Sequence, residues 1–389
     1  MKSNNSRKRR FAFPFLLFLL LVGCTGTTEP EPPISEKQPE EEKVTKLFEH
    51  KVGEDENDYF YNYCPSAFEE DGIRHIYYCS NKEHGNVTDY IAYRRGEKDA
   101  EGKWVYSDLS YVLEPGSEGW DRRHVCDPSV IKGNFTYQNE EYHYLMAYLG
   151  CVTSDNTANE VGLALSKTPS GPFVKVGKDP FVHYEKNDNK GFQWGYGQPS
   201  LVSVDRKGEV LLFYTVGDGN STYEAVERYD LSDLDHPNKL SETKRVLTRG
   251  LKNLNNTQDY ISNADYAYDP KSGRFYMIKD DHPNPEWASV SSSATIYYLE
   301  EDFENPDFYP GYTLFHVVGD MWNEMDRIDV SLSGMTLNHN TGFVSDPFGW
   351  TLSNRSIDCL FTGAMNYPSS FWGTLASYRI YQYSMEITE

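Results

Sequence analysis

Three short phrases constrain this chain more than anything else in it: Cys64-Pro65-Ser66, Asp127-Pro128-Ser129 and Gln198-Pro199-Ser200. Each opens an apolar stretch that leads, after a turn, into a second strand rich in aromatic residues. The prolines lie 63 and 71 residues apart. That unit is too long for a short solenoid repeat and suits a four-stranded propeller blade. The fold predicted is therefore all-β, a five-bladed β-propeller.

In blade one, the inner strand runs to Phe68, Asp71-Gly72 forms a two-residue hairpin, and Ile73–Tyr78 returns. That turn would set Cys64 opposite Cys79. Blade two has its inner strand at Cys126–Ile131, a wider turn through Asn134 to Asn139, a return at Tyr142–Leu149 toward Cys151, and a third strand at Val161–Ser166. Blade three follows the same scheme at Pro199–Val204 and Val210–Val216. In blade four the phrase is gone, but the spacing points to Ala264-Asp265, with strands at Phe275–Lys279 and Ala294–Leu299. Blade five is taken from Gly342–Ser345, Ile357–Thr362 and Leu375–Tyr383, with Lys46–Val52 closing the ring from the other end of the chain. Two stacked sandwiches are the competing architecture. Five similar units would there need two packing environments, whereas a ring gives each the same neighbours.

The aromatic content of 15%, with 30 Tyr, favours strands. The formal charge of −22 excludes an electrostatic grip on nucleic acid, because phosphate binding depends on Lys and Arg displacing counterions. A neutral ligand suits the chain better.

Residues 1–24 read as an export leader. Lys2, Arg7, Lys8, Arg9 and Arg10 precede an apolar run from Phe11 to Val22 that is too short to span a bilayer. Leu21-Val22-Gly23-Cys24 resembles a bacterial lipobox, which implies acylation of Cys24 and membrane attachment through lipid. Thr25 in place of an inner-membrane retention Asp points to the outer membrane. Residues 25–45 are rich in Pro, Glu and Thr and read as a flexible acidic tether; the propeller domain is set at 46–389.

Inner strands of a propeller converge on one face of a central channel, so the residues that begin them can meet. These are Cys64, Asp127 and Gln198, with Asp265 the carboxylate available in blade four. Trp120, Trp194 and Tyr196 lie just ahead of inner strands two and three, where aromatic faces can stack on sugar rings. Arg123, His124 and His282 are further candidates for substrate contact or proton transfer.

The five-unit layout, the Asp127-Pro128-Ser129-Val130-Ile131 strand and the phrase Ser166 through Ser170-Gly171-Pro172-Phe173 resemble glycoside hydrolase family 43 and its five-bladed relatives over about residues 59–385. The resemblance implies a carbohydrate-active enzyme with carboxyl groups on either side of a glycosidic bond. It also implies a base Asp in blade one, a tuning Asp in a middle blade and an acid Glu in a later one. Here Cys64 and Gln198 stand at two of those places. Related invertase-type propellers carry an Arg-Asp-Pro, and Arg122-Arg123-His124 lies just upstream of Asp127-Pro128. Asp127 and Asp265 are thus the expected catalytic pair. A glycan-binding protein that kept the ring but lost its acid and base is the alternative, and a protein-interaction propeller is a third.

An exported chain makes disulfides plausible. The hairpins favour Cys64 with Cys79 and Cys126 with Cys151, leaving Cys359 buried in blade five. No His/Cys cluster has zinc spacing and no calcium-loop motif is present, so no metal or cofactor is expected.

Overall fold

Each of the long strands is apolar at consecutive positions, not alternate ones, and the architecture explains why. The computed structural model describes residues 43–49, 59–154, 156–283, 294–300 (backbone only), 321–365, 367 and 369–387. The leader, Cys24 and the tether up to residue 42 lie outside the described residues. What is described is nearly all strand, with two short helices at Val330–Ser333 and Phe371–Ala376.

The strands form five antiparallel units. Their inner strands are Asn62–Glu70, His124–Tyr137, Gly195–Ser203, Asp265–Asp269 and Leu337–Ser345. Five apolar clusters lie between successive units. Phe68, Tyr77 and Tyr93 meet Val130 and Met146 between blades one and two. Ile131 and Leu145 meet Leu212 and Tyr214 between two and three, and Phe213 meets Tyr266 and Phe275 between three and four. Tyr276 meets Phe361 and Tyr383 between four and five. Ala67, Ile76 and Tyr78 meet Val344 and Leu360 between five and one. Neighbouring residues of one strand, such as Tyr77 and Tyr78, therefore serve opposite faces. Sheets buried on both faces in a closed cycle make a five-bladed propeller and rule out two stacked sandwiches.

The ring is closed by both ends of the chain. Val44–Lys46 pairs with Arg379–Glu386 as the outer strand of blade five, Val44 opposite Tyr383. This strand begins two residues ahead of the expected Lys46, and residues 50–52 of the expected strand lie outside the described residues. Other boundaries also move. Leu375 belongs to the short helix, so the last strand starts at Arg379. The blade-two hairpin turns tightly at Gln138-Asn139, both at positive φ, instead of through a wide loop.

The recurring phrase has a physical basis. Its first residue is left-handed in every blade: Cys64 (φ 49°), Asp127 (48°), Gln198 (50°), Asn263 (52°) and Asn340 (45°). Each is part of a bulge or the start of an inner strand. The third residue reaches the next blade. Ser129 Oγ accepts from Leu201 N–H at 2.9 Å, Ser200 Oγ from Tyr266 N–H at 3.1 Å, and Asp265 Oδ2 from Phe343 N–H at 2.7 Å. Blade five has Gly342 at this place, where a Cβ would lie 2.3 Å from Pro65 O. A side chain is excluded there, and blade five meets blade one by parallel backbone pairing at Ala67–Val344 and Phe68–Ser345.

Bulges overturn both expected disulfides, one in the blade-one hairpin and two in the blade-two hairpin. Below the blade-one bulge Tyr63 opposes Cys79; above it Ser66 opposes Tyr77, so pairing slips by one and Cys64 no longer faces Cys79. In blade two Cys151 opposes His124, while Cys126 opposes Leu149. The bridge formed is Cys79–Cys126, between blades one and two, with Cα atoms 5.2 Å apart. Cys64, Cys151 and Cys359 are buried free thiols. Because the bridge spans 47 residues, the Cys79→Ser/Cys126→Ser double variant should lose roughly 2–4 kcal/mol of unfolding free energy, mainly through a freer unfolded chain. Urea midpoints measure this, and an unchanged midpoint would contradict the cross-link.

Candidate functional site

The five left-handed residues form a ring at the head of the channel. Such backbone costs of order 1 kcal/mol or more at each non-glycine residue, and it clusters where side chains must be aimed. Above the ring lies a pocket of about 440 Å³ into which Asp127, Gln198, Asn263 and Asn340 project as part of the lining. Its volume falls in the range of small-molecule sites. A smaller 40 Å³ cavity lies on the axis between the Pro and Ser positions of the blades.

Asp127 is the most perturbed carboxyl in the pocket wall. Burial pushes its pKa up to about 7, helped by the charge of Asp89 and opposed by hydrogen bonds from the Cys64 thiol and the Gln198 N–H. The Asp127 N–H itself lies 2.9 Å from Cys79 Sγ. Burial, then the neighbouring Asp127, drives the Cys64 thiol well above its ordinary range, so Cys64 serves as a donor here and not as a thiolate.

Asp89, at the start of blade one's third strand, is the second carboxyl in the wall. The Tyr61 hydroxyl donates to its Oδ1 at 2.7 Å, and His124 Nδ1 lies 2.8 Å from Oδ2. His124 thus holds Asp89 from behind and does not line the pocket.

A third group sits on the blade-four side. His282 lines the pocket, its Nδ1 3.0 Å from Asp259 Oδ1 and its Nε2 2.9 Å from Ser262 Oγ, and its ring stacks on Tyr260 at 3.7 Å. Lys279, fully buried, pairs with Asp259 and lies 3.5 Å from Asp281. Burial alone would raise Asp259, but the His282 hydrogen bond and the Lys279 charge bring it below the usual carboxylate range.

The aromatic rim consists of Phe192, Trp194, Tyr63 and Tyr260. Phe192 is 70% exposed and Tyr260 41%, which leaves apolar ring faces open to a ligand.

The expected site residues divide accordingly. Asp127, Trp194, Gln198 and His282 come together in the pocket. Asp265 does not line this larger pocket; it meets Asp127 only in the lining of the smaller 40 Å³ axial cavity. Blade four's ring position is Asn263, and Asp265 is the counterpart of Ser66, Ser129 and Ser200. Its carboxylate is taken up by Ser200 Oγ at 2.6 Å and by the N–H groups of Phe343 and Tyr266. It ties blades three, four and five together on the axis. Trp120 stacks on Tyr148 and packs over Gly150 and Gly162, where a Cβ would strike its ring, so it belongs to the core. Tyr196 packs between Tyr184 and Tyr214. Arg123 donates to Val87 O at 3.0 Å and lies outside the pocket.

Asp89, Phe192, Tyr260, Ser262 and Asn340 were not singled out from the sequence. Phe192 lies within the Gly191–Gly197 loop ahead of inner strand three. Asp259 to Ser262 directly precede blade four's ring residue. A search of the residues just before each inner strand would have found both.

Among the described residues, one group has metal-ligating atoms close together: Cys64, Cys79, Cys126 and Asp127, all within 4.8 Å. Two of its sulfurs are joined in the disulfide, which leaves only Cys64 and Asp127 as donors and does not make a closed metal site.

No family model matches the chain, and no curated protein matches it in sequence. Solved structures do match it in fold. A thermostable family-43 glycoside hydrolase superposes with a TM-score of 0.52 at 14% identity, covering 85% of this chain and 90% of that one. A family 117 glycoside hydrolase from the marine bacterium Zobellia galactanivorans gives 0.54 at 14% identity, covering 88% of each chain. A β-xylosidase gives 0.51 at 13% identity, covering 84% and 92%. The chain has the five-bladed propeller fold of these enzymes.

Proposed function

We propose that this chain is a glycoside hydrolase that works in the axial pocket. The observation that carries the reading is the meeting, in one pocket of about 440 Å³, of exposed aromatic faces with a buried carboxyl whose pKa is about 7. Glycoside hydrolysis needs one carboxyl that still holds its proton at neutral pH and another that activates water or attacks the anomeric carbon. Asp127 suits the first role. Asp89, the other carboxyl of the wall, suits the second. Cys64 and Gln198, which occupy places where the resemblance led one to expect carboxyl groups, then act as hydrogen-bond donors to Asp127. The fold shared with the family-43 and family-117 enzymes supports the same chemistry.

Phe192 and Trp194 supply apolar faces for the C–H surface of a sugar ring. The lipobox at Cys24 supports a chain tethered to the outer membrane, acting on polysaccharide or oligosaccharide met there. A panel of oligosaccharides, followed by chromatography for product release and by calorimetry for binding, tests the reading. At least one sugar should be cleaved, and Phe192→Ala should raise its KM by roughly tenfold, the loss of about one stacked ring face. Binding without any release across the panel would refute a hydrolase.

A further inference from the structure

On the blade-four side of the pocket lies an arrangement that glycoside hydrolysis does not use. Ser262 Oγ is 2.9 Å from His282 Nε2, and His282 Nδ1 is 3.0 Å from Asp259 Oδ1. A hydroxyl, an imidazole and a carboxylate in line at these distances are the geometric signature of an activated nucleophile. We propose that Ser262, His282 and Asp259 hydrolyse an acyl ester in this pocket, with Ser262 as nucleophile, His282 as general base and Asp259 as the positioning group. The substrate class is an O-acylated sugar; that part alone rests on the glycan reading above.

Five features support it. Ser262 and His282 both line the pocket, so the hydroxyl is beside a space a substrate can fill. Asp259 accepts but does not donate, and the Lys279 pairing keeps it charged, so Nδ1 must carry the proton and Nε2 is left to accept from Ser262. Tyr260 stacked at 3.7 Å holds the imidazole plane from turning. Ser262 also stands immediately before Asn263, one of the left-handed ring residues, on the turn from loop to strand. A tight turn of this kind presents a nucleophile at the head of a sheet. The side-chain amides of Gln198 and Asn340 line the same pocket and offer N–H groups to a developing oxyanion.

The chemistry closes on itself. As Ser262 Oγ bonds to the acyl carbon, its proton passes to His282 Nε2. The bond from that carbon to the sugar oxygen then breaks, and the departing oxygen takes the proton from Nε2. A water molecule gives a proton to Nε2 in its turn and attacks the acyl-serine, which releases the carboxylic acid and restores the hydroxyl. No oxidant, metal or second substrate other than water enters.

The full chain should be treated with a fluorophosphonate and its peptides mapped by mass spectrometry, and separately assayed with 4-nitrophenyl acetate. The expected results are a phosphonyl group on Ser262, lost in Ser262→Ala, and a kcat/KM for the ester lowered at least about 10²-fold in Ser262→Ala and His282→Asn. Asp259→Asn should lower kcat with little change in KM, as loss of orientation requires. Absence of an adduct on Ser262 in the unaltered chain would overturn the proposal, and that readout does not depend on any variant folding. So would equal ester turnover in the unaltered chain and Ser262→Ala. Neither reagent carries a sugar, so their failure leaves the glycoside-hydrolase reading intact, and failure of sugar release leaves this one intact.

Discussion

Asp127→Asn should lower sugar release by roughly 10²–10⁴-fold in kcat, the share of rate that a positioned acid supplies. The amide keeps the shape but cannot give up a proton. In the unaltered chain the rate limb set by this acid should fall tenfold per pH unit above about 7, where the carboxyl ionises. The same substitution should raise stability at high pH. The folded chain keeps a proton on Asp127 that the unfolded chain releases near 3.8. Between those values the unfolded state binds fewer protons, so stability declines as pH rises, by about 4 kcal/mol over the whole window. Asn is neutral throughout and carries no such cost. Melting curves of the two proteins should therefore agree near pH 4 and separate by pH 8, with Asp127→Asn the higher. An active Asp127→Asn enzyme would remove Asp127 from the chemistry.

Lys279→Met should destabilise the fold by about 3–5 kcal/mol, the usual loss when one member of a buried ion pair is deleted. Lys279 and Asp281 have no exposed side-chain surface and Asp259 has 1%. Met fills the stem's volume but leaves Asp259 without its cation. The carboxyl then keeps the His282 hydrogen bond but loses the Lys279 charge that helped to offset its burial, and its pKa rises. Urea titration of the variant measures the first effect. A stability within about 1 kcal/mol of the parent would mean that the buried cation is not needed to hold this cluster.

Much of the ring was readable because Pro and Ser do mechanical work at fixed places. Pro65, Pro128 and Pro199 mark the bulge, and Ser129 and Ser200 bind the next blade. Blades four and five do the same work with Asn263-Ala264-Asp265 and Asn340-Thr341-Gly342. Asp265 is an oxygen acceptor standing in for a serine hydroxyl, and in the bare sequence an unpaired carboxylate at that spacing looks like an acid or a base. The register slip could not be read either. Counting outward from Asp71-Gly72 assumes an unbroken ladder, and one extra residue at Cys64-Pro65 sends Cys79 to Cys126. Asp89, Phe192 and Ser262 come from a third strand and two loops, which only the closed ring brings within reach of Asp127. Trp120 and Tyr196 were misread because a large aromatic ahead of a strand can face the core as readily as a ligand.

The pairing of Val44 with Tyr383 makes this a protein that finishes folding last at the place where it starts. No arrangement of the first four blades can seal the cycle until the final strand has left the ribosome. Contacts so distant along the chain slow folding, and the intermediate carries an open edge on either side of the gap. Removal of the eight residues Arg379–Glu386 would thus strand the whole molecule in that unsealed state.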